Sequence, residues 1–274
     1  MSKRKVEIVV ISDVHLGTYG CNAKALNKYL KSIKPKILIL NGDIIDIWQF
    51  NKRYWPQSHM KVIQRIFKML SEETQVYYLT GNHDEMLRKF TDFKMGNFEI
   101  LNKLVLPIDG KKAWIFHGDV FDVTMKHSKW LAKLGAVGYD ILILLNSIVN
   151  WFMKVIGGKK VSFSQKIKSK VKSAIKFIDD FEETATDIAI QNKYDYVICG
   201  HIHQPQIREV KNDEGSTMYL NSGDWIENLT ALEYNDKEWS MYHYIDDPDE
   251  EVEDELMKNI PDVHSLLKTI TNSA

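Results

Sequence analysis

Residues 6–15 have the sequence VEIVVISDVH. A mostly β-branched run over residues 6–11, apolar except for Glu7, ends at a polar cluster in which one residue separates Asp13 from His15. Such a short branched run predicts a buried β-strand. The polar cluster would then lie at the carboxyl end of that strand.

The same arrangement recurs four more times along the chain. Strand-like runs cover residues 37–40, 76–79, 113–116 and 196–199. The polar clusters that follow them are Gly42-Asp43, Gly81-Asn82-His83-Asp84, His117-Gly118-Asp119 and Gly200-His201-Ile202-His203. Loops at the carboxyl ends of strands converge on the ligand crevice of an α/β sheet, so these side chains are expected to meet.

Helical periodicity over residues 23–33 and 60–70 separates the earlier strand-like runs. Strands that alternate with helices predict an α/β fold with parallel pairing. A further strand-like run covers residues 218–220, and the runs 229–234 and 239–244 follow without room for helices. The last two predict antiparallel strands, and hence a mixed or doubled sheet.

The composition is that of a globular protein. The 274 residues are 44% hydrophobic and 27% charged, and the formal net charge is −1. No global basic field indicates a nucleic-acid partner. The two cysteines cannot form a disulfide framework, which favours a reducing compartment. Cleavage of a signal peptide from this N-terminus would destroy the site at Asp13, so we expect a cytoplasmic protein.

We predict a discontinuous core over residues 1–123 and 193–245. Residues 124–192 interrupt the strand rhythm with helical patterns at 129–134, 139–156 and 164–191, and are interpreted as a helical cap or lid inserted into the core. Residues 246–274 form an acidic C-terminal tail and helix, to which no function is assigned.

The clustered residues match a metal site with oxygen and imidazole ligands. Such ligands suit Mn²⁺, Fe or Zn²⁺ rather than Ca²⁺ or a thiolate site. Seven ligands exceed one tetrahedral ion and suit two ions that share a carboxylate. Such a pair, about 3.5–4 Å apart, activates water and clamps the oxygens of a phosphoryl displacement. Each motif alone has an ordinary explanation in turn chemistry, but five in order at strand ends indicate one site. The candidate ligands are Asp13, His15, Asp43, Asn82, His117, His201 and His203.

These five motifs, in this order over roughly residues 6–244, resemble the calcineurin-like metallophosphoesterase superfamily. The resemblance implies a four-layer αββα sandwich and the roles of the ligands. Asp13, His15 and His203 would hold one ion, Asn82, His117 and His201 the other, and Asp43 would bridge them.

The resemblance also implies two roles outside the ligand set. His83 would contact the phosphate or protonate the leaving oxygen, and Asp46 would orient His83. A carboxylate partner raises imidazole basicity, which suits a general acid. An ordinary helix-start carboxylate is the alternative for Asp46. Asn82, His83 and His201 are the residues expected at the substrate phosphate.

Within the superfamily, the chain most resembles the UDP-2,3-diacylglucosamine pyrophosphohydrolase group. The matching residues are Gly42-Asp43-Ile44-Ile45-Asp46-Ile47-Trp48, Gly223-Asp224-Trp225 and the insertion after His117-Gly118-Asp119. This group hydrolyses its substrate to UMP and 2,3-diacylglucosamine 1-phosphate in lipid A biosynthesis. The group typically has Arg after the metal-binding Asn, where this chain has His83. A related lipid-linked pyrophosphate or phosphodiester is therefore the alternative substrate.

The predicted cap supports a lipid-linked substrate. Residues 139–156 are almost wholly apolar, and seven lysines without an acidic residue follow them: Lys159, Lys160, Lys166, Lys168, Lys170, Lys172 and Lys176. An apolar segment beside a basic one is typical of peripheral binding to an anionic membrane. A buried cap helix, or steering of an anionic substrate, explains the same pattern. We expect peripheral contact with the cytoplasmic face of the inner membrane.

Two other classes of function compete with this interpretation. One is a phosphatase or phosphodiesterase that acts on a soluble nucleotide or another phosphoester, which the apolar cap disfavours. The other is a non-catalytic scaffold of the same fold, which would have lost ligands that this chain retains. The pattern predicts no particular oligomeric state.

Overall fold

A computed structural model describes residues 3–48, 54–122 and 164–245 of the chain. Within them lie twelve β-strands in two sheets, three α-helices and two short 3-10 turns. The helices are α1 (Ala23–Ser32), α2 (Gln57–Ser71) and α3 (Ser164–Gln191), and the 3-10 turns are Glu85–Phe90 and Asp119–Asp122. The α/β class predicted from the sequence is confirmed.

The first sheet has seven strands in the order β12-β11-β1-β2-β3-β5-β4. They are β1 (Arg4–Ile11), β2 (Ile33–Asn41), β3 (Gln75–Leu79), β4 (Lys94–Met95), β5 (Phe98–Leu101), β11 (Thr230–Asn235) and β12 (Glu238–His243). β1, β2, β3 and β5 are parallel, while β11 and β12 add antiparallel strands at one edge. The predicted antiparallel pair is therefore confirmed.

The second sheet has five strands in the order β6-β7-β8-β10-β9. They are β6 (Lys103–Ile108), β7 (Lys111–Phe116), β8 (Tyr196–Cys199), β9 (Gln206–Asn212) and β10 (Gly215–Asn221). β7, β8 and β10 are parallel. The sequence did not predict β6 and β9, which are the edge strands of this sheet. Pro107 and the charged residues of β9 are tolerated at an edge and hide the strand pattern.

The two sheets pack face to face, and helices cover their outer faces. On β1, Val9 and Ile11 pack among residues of α1 and α2, whereas Ile8 and Val10 pack against the second sheet. Residues 8–11 of the strand are therefore buried on both faces, which explains why this part of it is wholly apolar. This is the four-layer order α, β, β, α that the resemblance implied.

The C-terminal half of α3 forms the outer layer over the second sheet. Phe181, Ala185 and Ala189 are buried there in a cluster with Val197 of β8 and Tyr219 of β10. The sequence placed the whole of this helix in the predicted cap, but this half packs against the core. The division into core and cap stays a prediction, because the helices predicted at 129–134 and 139–156 lie outside the described residues.

The two sheets and the three helices belong to one compact unit, which ends at Tyr244. The acidic tail predicted over 246–274 lies outside the described residues. In the part of the chain that the structure describes, no helix is long and apolar enough to cross a membrane.

We predict that Phe181→Ala destabilises the protein by about 3–5 kcal/mol, because it leaves a cavity under a fully buried ring. Denaturant unfolding measures the loss. Phe67→Ala is the matched control, since the Phe67 side chain is 61% exposed, and it should change stability by less than about 0.5 kcal/mol. Equal small effects would show that α3 does not belong to the folded core.

Candidate metal centre

The candidate site lies where the carboxyl ends of β1, β2, β3, β7 and β8 meet. Asp43 is buried at its centre, and its Oδ2 is 3.2 Å from His117 Nε2, 3.9 Å from His15 Nε2 and 4.0 Å from His83 Nε2. These residues come from strands of both sheets. The convergence expected from the five strand ends is thus present in the fold.

The acidic and imidazole groups fall into sets that overlap at shared residues. One set is Asp13, His15 and His203, and another is Asp43, His117 and His201, with the candidate ligand atoms of each set within 4.8 Å of one another. A third set, His15, Asp43 and His83, lies between these two. The structure therefore brings the predicted aspartates and histidines together in two adjacent groups, and their assignment as ligands stays a prediction.

Several buried polar atoms of the site have no hydrogen-bond partner. They include His15 Nε2 and Asn82 Oδ1. An unpaired buried polar atom costs about 1–3 kcal/mol, so such atoms rarely accumulate in one place without a ligand. Atoms with lone pairs, grouped around buried carboxylates, fit the divalent cations that the sequence predicted.

Hydrogen bonds determine which imidazole nitrogens point into the site. His117 Nδ1 donates to the carbonyl oxygen of Asn41 at 2.9 Å, and His15 Nδ1 donates to Asp46 Oδ2 at 3.1 Å. In the neutral ring, each bond places the proton on Nδ1 and leaves the lone pair on Nε2. Partners of this kind orient metal-binding histidines and raise their basicity.

Five of the seven predicted ligands have left-handed backbone conformations. Their φ angles are 52° at Asp13, 54° at His15, 53° at Asp43, 64° at His201 and 55° at His203. Non-glycine residues seldom adopt this region, and clusters of such residues mark functional sites. The surrounding structure must therefore hold these residues in place.

Backbone hydrogen bonds between the ligand loops supply that restraint. The N–H of Asp13 donates to the carbonyl of Gly42 at 3.1 Å, and the N–H of His15 donates to that of Asp43 at 2.9 Å. The N–H of His201 donates to Asp13 Oδ2 at 3.0 Å, which joins the two sheets. The loops that carry Asp13, Asp43 and His201 are thus hydrogen-bonded to one another.

The charges of the site stabilise one another. Burial raises the pKa of Asp13, but His203 and His117 outweigh it and lower that pKa to about 2. Burial likewise lowers the pKa of His203, yet Asp13 and Asp224 raise it to about 9. The pKa of Asp43 is held well below its usual range because His117, His15 and His83 outweigh its burial. Both aspartates are therefore ionised at neutral pH.

His83 lies at the rim of the centre, beside Asp46. Its Nδ1 is 2.8 Å from Asp46 Oδ2, and its ring centroid is 4.9 Å from that of the half-exposed Trp48. Burial lowers the pKa of His83, but Asp46 and Asp43 outweigh this effect and raise it. Asp46 thus contacts both His83 and His15. Within the described residues, the next helix begins only at Gln57. The orienting role of Asp46 stays a prediction.

The sequence interpretation assigned no role to Asp84, which joins two ligand loops. Its Oδ1 accepts a hydrogen bond from the N–H of Gly81 at 2.6 Å. Its Oδ2 accepts from the N–H of Ile44 at 3.0 Å and from the hydroxyl of Tyr78 at 2.6 Å. Asp84 is the last residue of the Gly-Asn-His-Asp motif, so its position was visible in the sequence although its partners were not.

The loop after β10 supports the site in a similar way. The Asn221 side chain donates to the carbonyl of Gly200 at 3.0 Å, and the hydroxyls of Ser222 and Ser12 are 2.7 Å apart. Asp224 accepts hydrogen bonds from the N–H groups of residues 226–228, and its Oδ2 is 3.8 Å from His203 Nδ1. The Gly223-Asp224-Trp225 motif therefore helps to hold the β1 and β8 loops.

His59 of α2 holds the loop that follows His15. Its side chain is buried, and its Nδ1 accepts a hydrogen bond from the N–H of Gly17 at 2.9 Å. Burial lowers the pKa of His59 from 6.5 to about 4. The imidazole is therefore neutral in the folded protein at neutral pH.

The chain is similar to several known proteins in sequence and in fold. A model of the calcineurin-like phosphoesterase family matches residues 6–205. A UDP-2,3-diacylglucosamine hydrolase of Blochmanniella pennsylvanica (strain BPEN) is 27% identical over 241 residues, which cover 85% of this chain and 93% of that protein. That of Aliivibrio fischeri (strain MJ11) is 26% identical over 244 residues, covering 86% and 97%. Among solved structures, an archaeal phosphodiesterase has 17% identity and a TM-score of 0.41, covering 86% of this chain and 98% of that one.

We predict that Gly42→Ala disrupts the centre, whereas Gly110→Ala is tolerated better. Both glycines have a φ of +80°, so an alanine at either position meets the same left-handed strain. A Cβ at Gly42 would lie 2.4 Å from the ring of His117, whereas nothing lies within 4 Å of one at Gly110. Mn²⁺ binding by calorimetry should weaken only in Gly42→Ala. Equal binding in the two variants would contradict the close packing of this ring.

We predict that His59 makes the metal-free protein acid-sensitive. The unfolded chain binds a proton near pH 6.5 that the folded protein binds only near pH 4, so stability is complete above pH 6.5 and falls as the pH drops towards 4. The loss should approach about 3 kcal/mol at pH 4. His59→Gln keeps an acceptor for Gly17 but does not titrate. Denaturant unfolding between pH 7 and 4 should show a smaller loss in this variant, and parallel curves would contradict the assignment.

Proposed function

This chain belongs to the calcineurin-like phosphoesterase family of metal-dependent phosphoester hydrolases, and from that premise we propose that it hydrolyses UDP-2,3-diacylglucosamine or a closely related lipid-linked pyrophosphate. The products would be UMP and 2,3-diacylglucosamine 1-phosphate. The proposal includes two divalent ions at the centre described above, Mn²⁺ in the first place, with Fe or Zn²⁺ also suited to its ligands.

The single observation that carries the two-ion proposal is the position of Asp43. It lies between the group of Asp13, His15 and His203 and the group that contains His117 and His201. A carboxylate shared by two sets of ligands is the arrangement that a pair of ions requires. Asn82, whose buried Oδ1 has no hydrogen-bond partner, would complete the second set.

The ions, when bound, would supply an activated water and neutralise charge on the phosphoryl oxygens. The protein residues would provide orientation and protons. Asn82 and His201 would position the phosphate, and His83 would donate a proton to the leaving oxygen from the rim of the site. Asp46 would keep His83 in the orientation and tautomer that this step needs.

Two observations support the lipid-linked substrate. Relatives named UDP-2,3-diacylglucosamine hydrolase match over nearly their whole lengths, which includes the region of the predicted cap. Trp48 also leaves a half-exposed aromatic surface beside His83. With such a substrate, the protein would work in the cytoplasm and contact the inner membrane peripherally. A phosphodiester substrate remains the second candidate, because His83 stands where the relatives' group typically has Arg.

We predict that the Mn²⁺-loaded protein releases UMP from UDP-2,3-diacylglucosamine in detergent and that Asp43→Ala abolishes this release. The reason is that neither group of ligands is complete without the shared carboxylate. Asp213→Ala, in the exposed turn between β9 and β10, should retain activity. Mutant-sensitive hydrolysis of bis(p-nitrophenyl) phosphate without UMP release would reject the lipid substrate but keep the phosphodiesterase. Full activity of Asp43→Ala would show that the active site does not depend on Asp43.

We predict that His83→Asn lowers kcat on a phosphodiester with an alcohol leaving group by about 10²–10⁴-fold through loss of a general acid. Its effect should be much smaller on p-nitrophenyl esters, whose leaving group is a weak base and departs without a proton. Metal content, measured by mass spectrometry, should stay unchanged. An equal loss on both kinds of substrate would contradict the acid role and indicate phosphate binding instead.

A further inference from the structure

The 3-10 turn Asp119–Asp122 contacts two other ligand loops. It follows directly after His117 and Gly118, so it is part of the β7 loop. Asp119 Oδ2 accepts a hydrogen bond from Arg88, which also donates to the carbonyl of Gly81 at 3.4 Å. Asp122 Oδ1 is 3.0 Å from His201 Nε2. One turn thus joins the β3, β7 and β8 loops, which supply the predicted ligands Asn82, His117 and His201.

The hydrogen bond between His201 and Asp122 uses a different ring nitrogen from those of His15 and His117. His15 and His117 donate through Nδ1 and keep Nε2 for the site. A carboxylate can only accept a hydrogen bond, so His201 donates through Nε2 and keeps the lone pair on Nδ1. This choice of nitrogen depends on Asp122.

The contact between His201 and Asp122 is largely shielded from solvent. The side chains of His201 and Asp122 are only 11% and 13% exposed. The His201 ring centroid is 5.2 Å from that of His117 and 6.4 Å from that of Phe181. The imidazole is therefore enclosed by two rings. Its contact with Asp122 then determines which ring nitrogen carries the proton.

We infer that Asp122 is a positioning residue for the ion held by Asn82, His117 and His201. By accepting a hydrogen bond from the Nε2–H of His201, it leaves Nδ1 of that ring free to face the ion. The inference rests on the proposed two-ion function and concerns one of the two ions. The ion of the other group depends on different partners, since Asp46 orients His15.

The test is a Mn²⁺ titration of the full chain, followed by electron paramagnetic resonance and by metal content after dialysis. Wild type should bind two ions and show a spin-coupled spectrum. Asp122→Ala should bind the first ion normally and the second about 10–100-fold more weakly, which leaves an uncoupled signal at intermediate Mn²⁺ concentrations. Asp122→Asn should restore most of the affinity, because its amide oxygen still accepts from Nε2. Asp213→Ala is the carboxylate-removal control.

Unchanged affinity for both ions in Asp122→Ala would overturn the inference, as would an equal loss of both. Wild-type protein that binds fewer than two ions would instead contradict the proposed function. If Asp122→Ala does not fold, the wild-type protein loaded with Zn²⁺ decides by ¹⁵N magnetic resonance of its histidines. A protonated Nε2 on His201 supports the inference, and a protonated Nδ1 overturns it.

Discussion

The structure of this site depends on one buried negative charge, the carboxylate of Asp43. A carboxylate in a protein interior costs several kcal/mol unless positive groups surround it. Here three imidazoles lie around Oδ2, with His117 nearest at 3.2 Å. The N–H of His83 also donates to Oδ1 at 2.8 Å. A carboxylate enclosed by groups that can bind cations is well suited to divalent ions, and the chain belongs to a family of metal-dependent phosphoesterases.

Hydrogen bonds between several loops stabilise the strained backbone of the site. Five predicted ligands have left-handed backbone conformations, and each such conformation costs free energy. Hydrogen bonds between loops offset that cost. Asp84 joins the β2 and β3 loops, and Ser12 joins the β1 loop to the loop after β10. Strain at the site is therefore held by contacts between loops that come from both sheets.

Much of the site was predictable from the sequence because each predicted ligand follows a strand that is buried on both faces near its carboxyl end. Such strands have continuous apolar runs, and a polar cluster after residues 6–11 is conspicuous. The edge strand β9 was missed because half-exposed edges have mixed sequences. The sequence also did not predict that Phe181 packs against the second sheet, since a helical pattern does not tell which layer a helix covers. The Asp122–His201 contact joins residues 79 positions apart and depends on how two loops meet. Nothing local in the sequence encodes it.

Anomalous X-ray scattering would show whether two ions share Asp43. Crystals of the full chain grown with Mn²⁺ should give two anomalous peaks near the manganese absorption edge, one on each side of the Asp43 carboxylate. One peak should adjoin Asp13, His15 and His203, and the other Asn82, His117 and His201. A single peak at saturating Mn²⁺, or two peaks that do not share Asp43, would show that Asp43 does not bridge two ions.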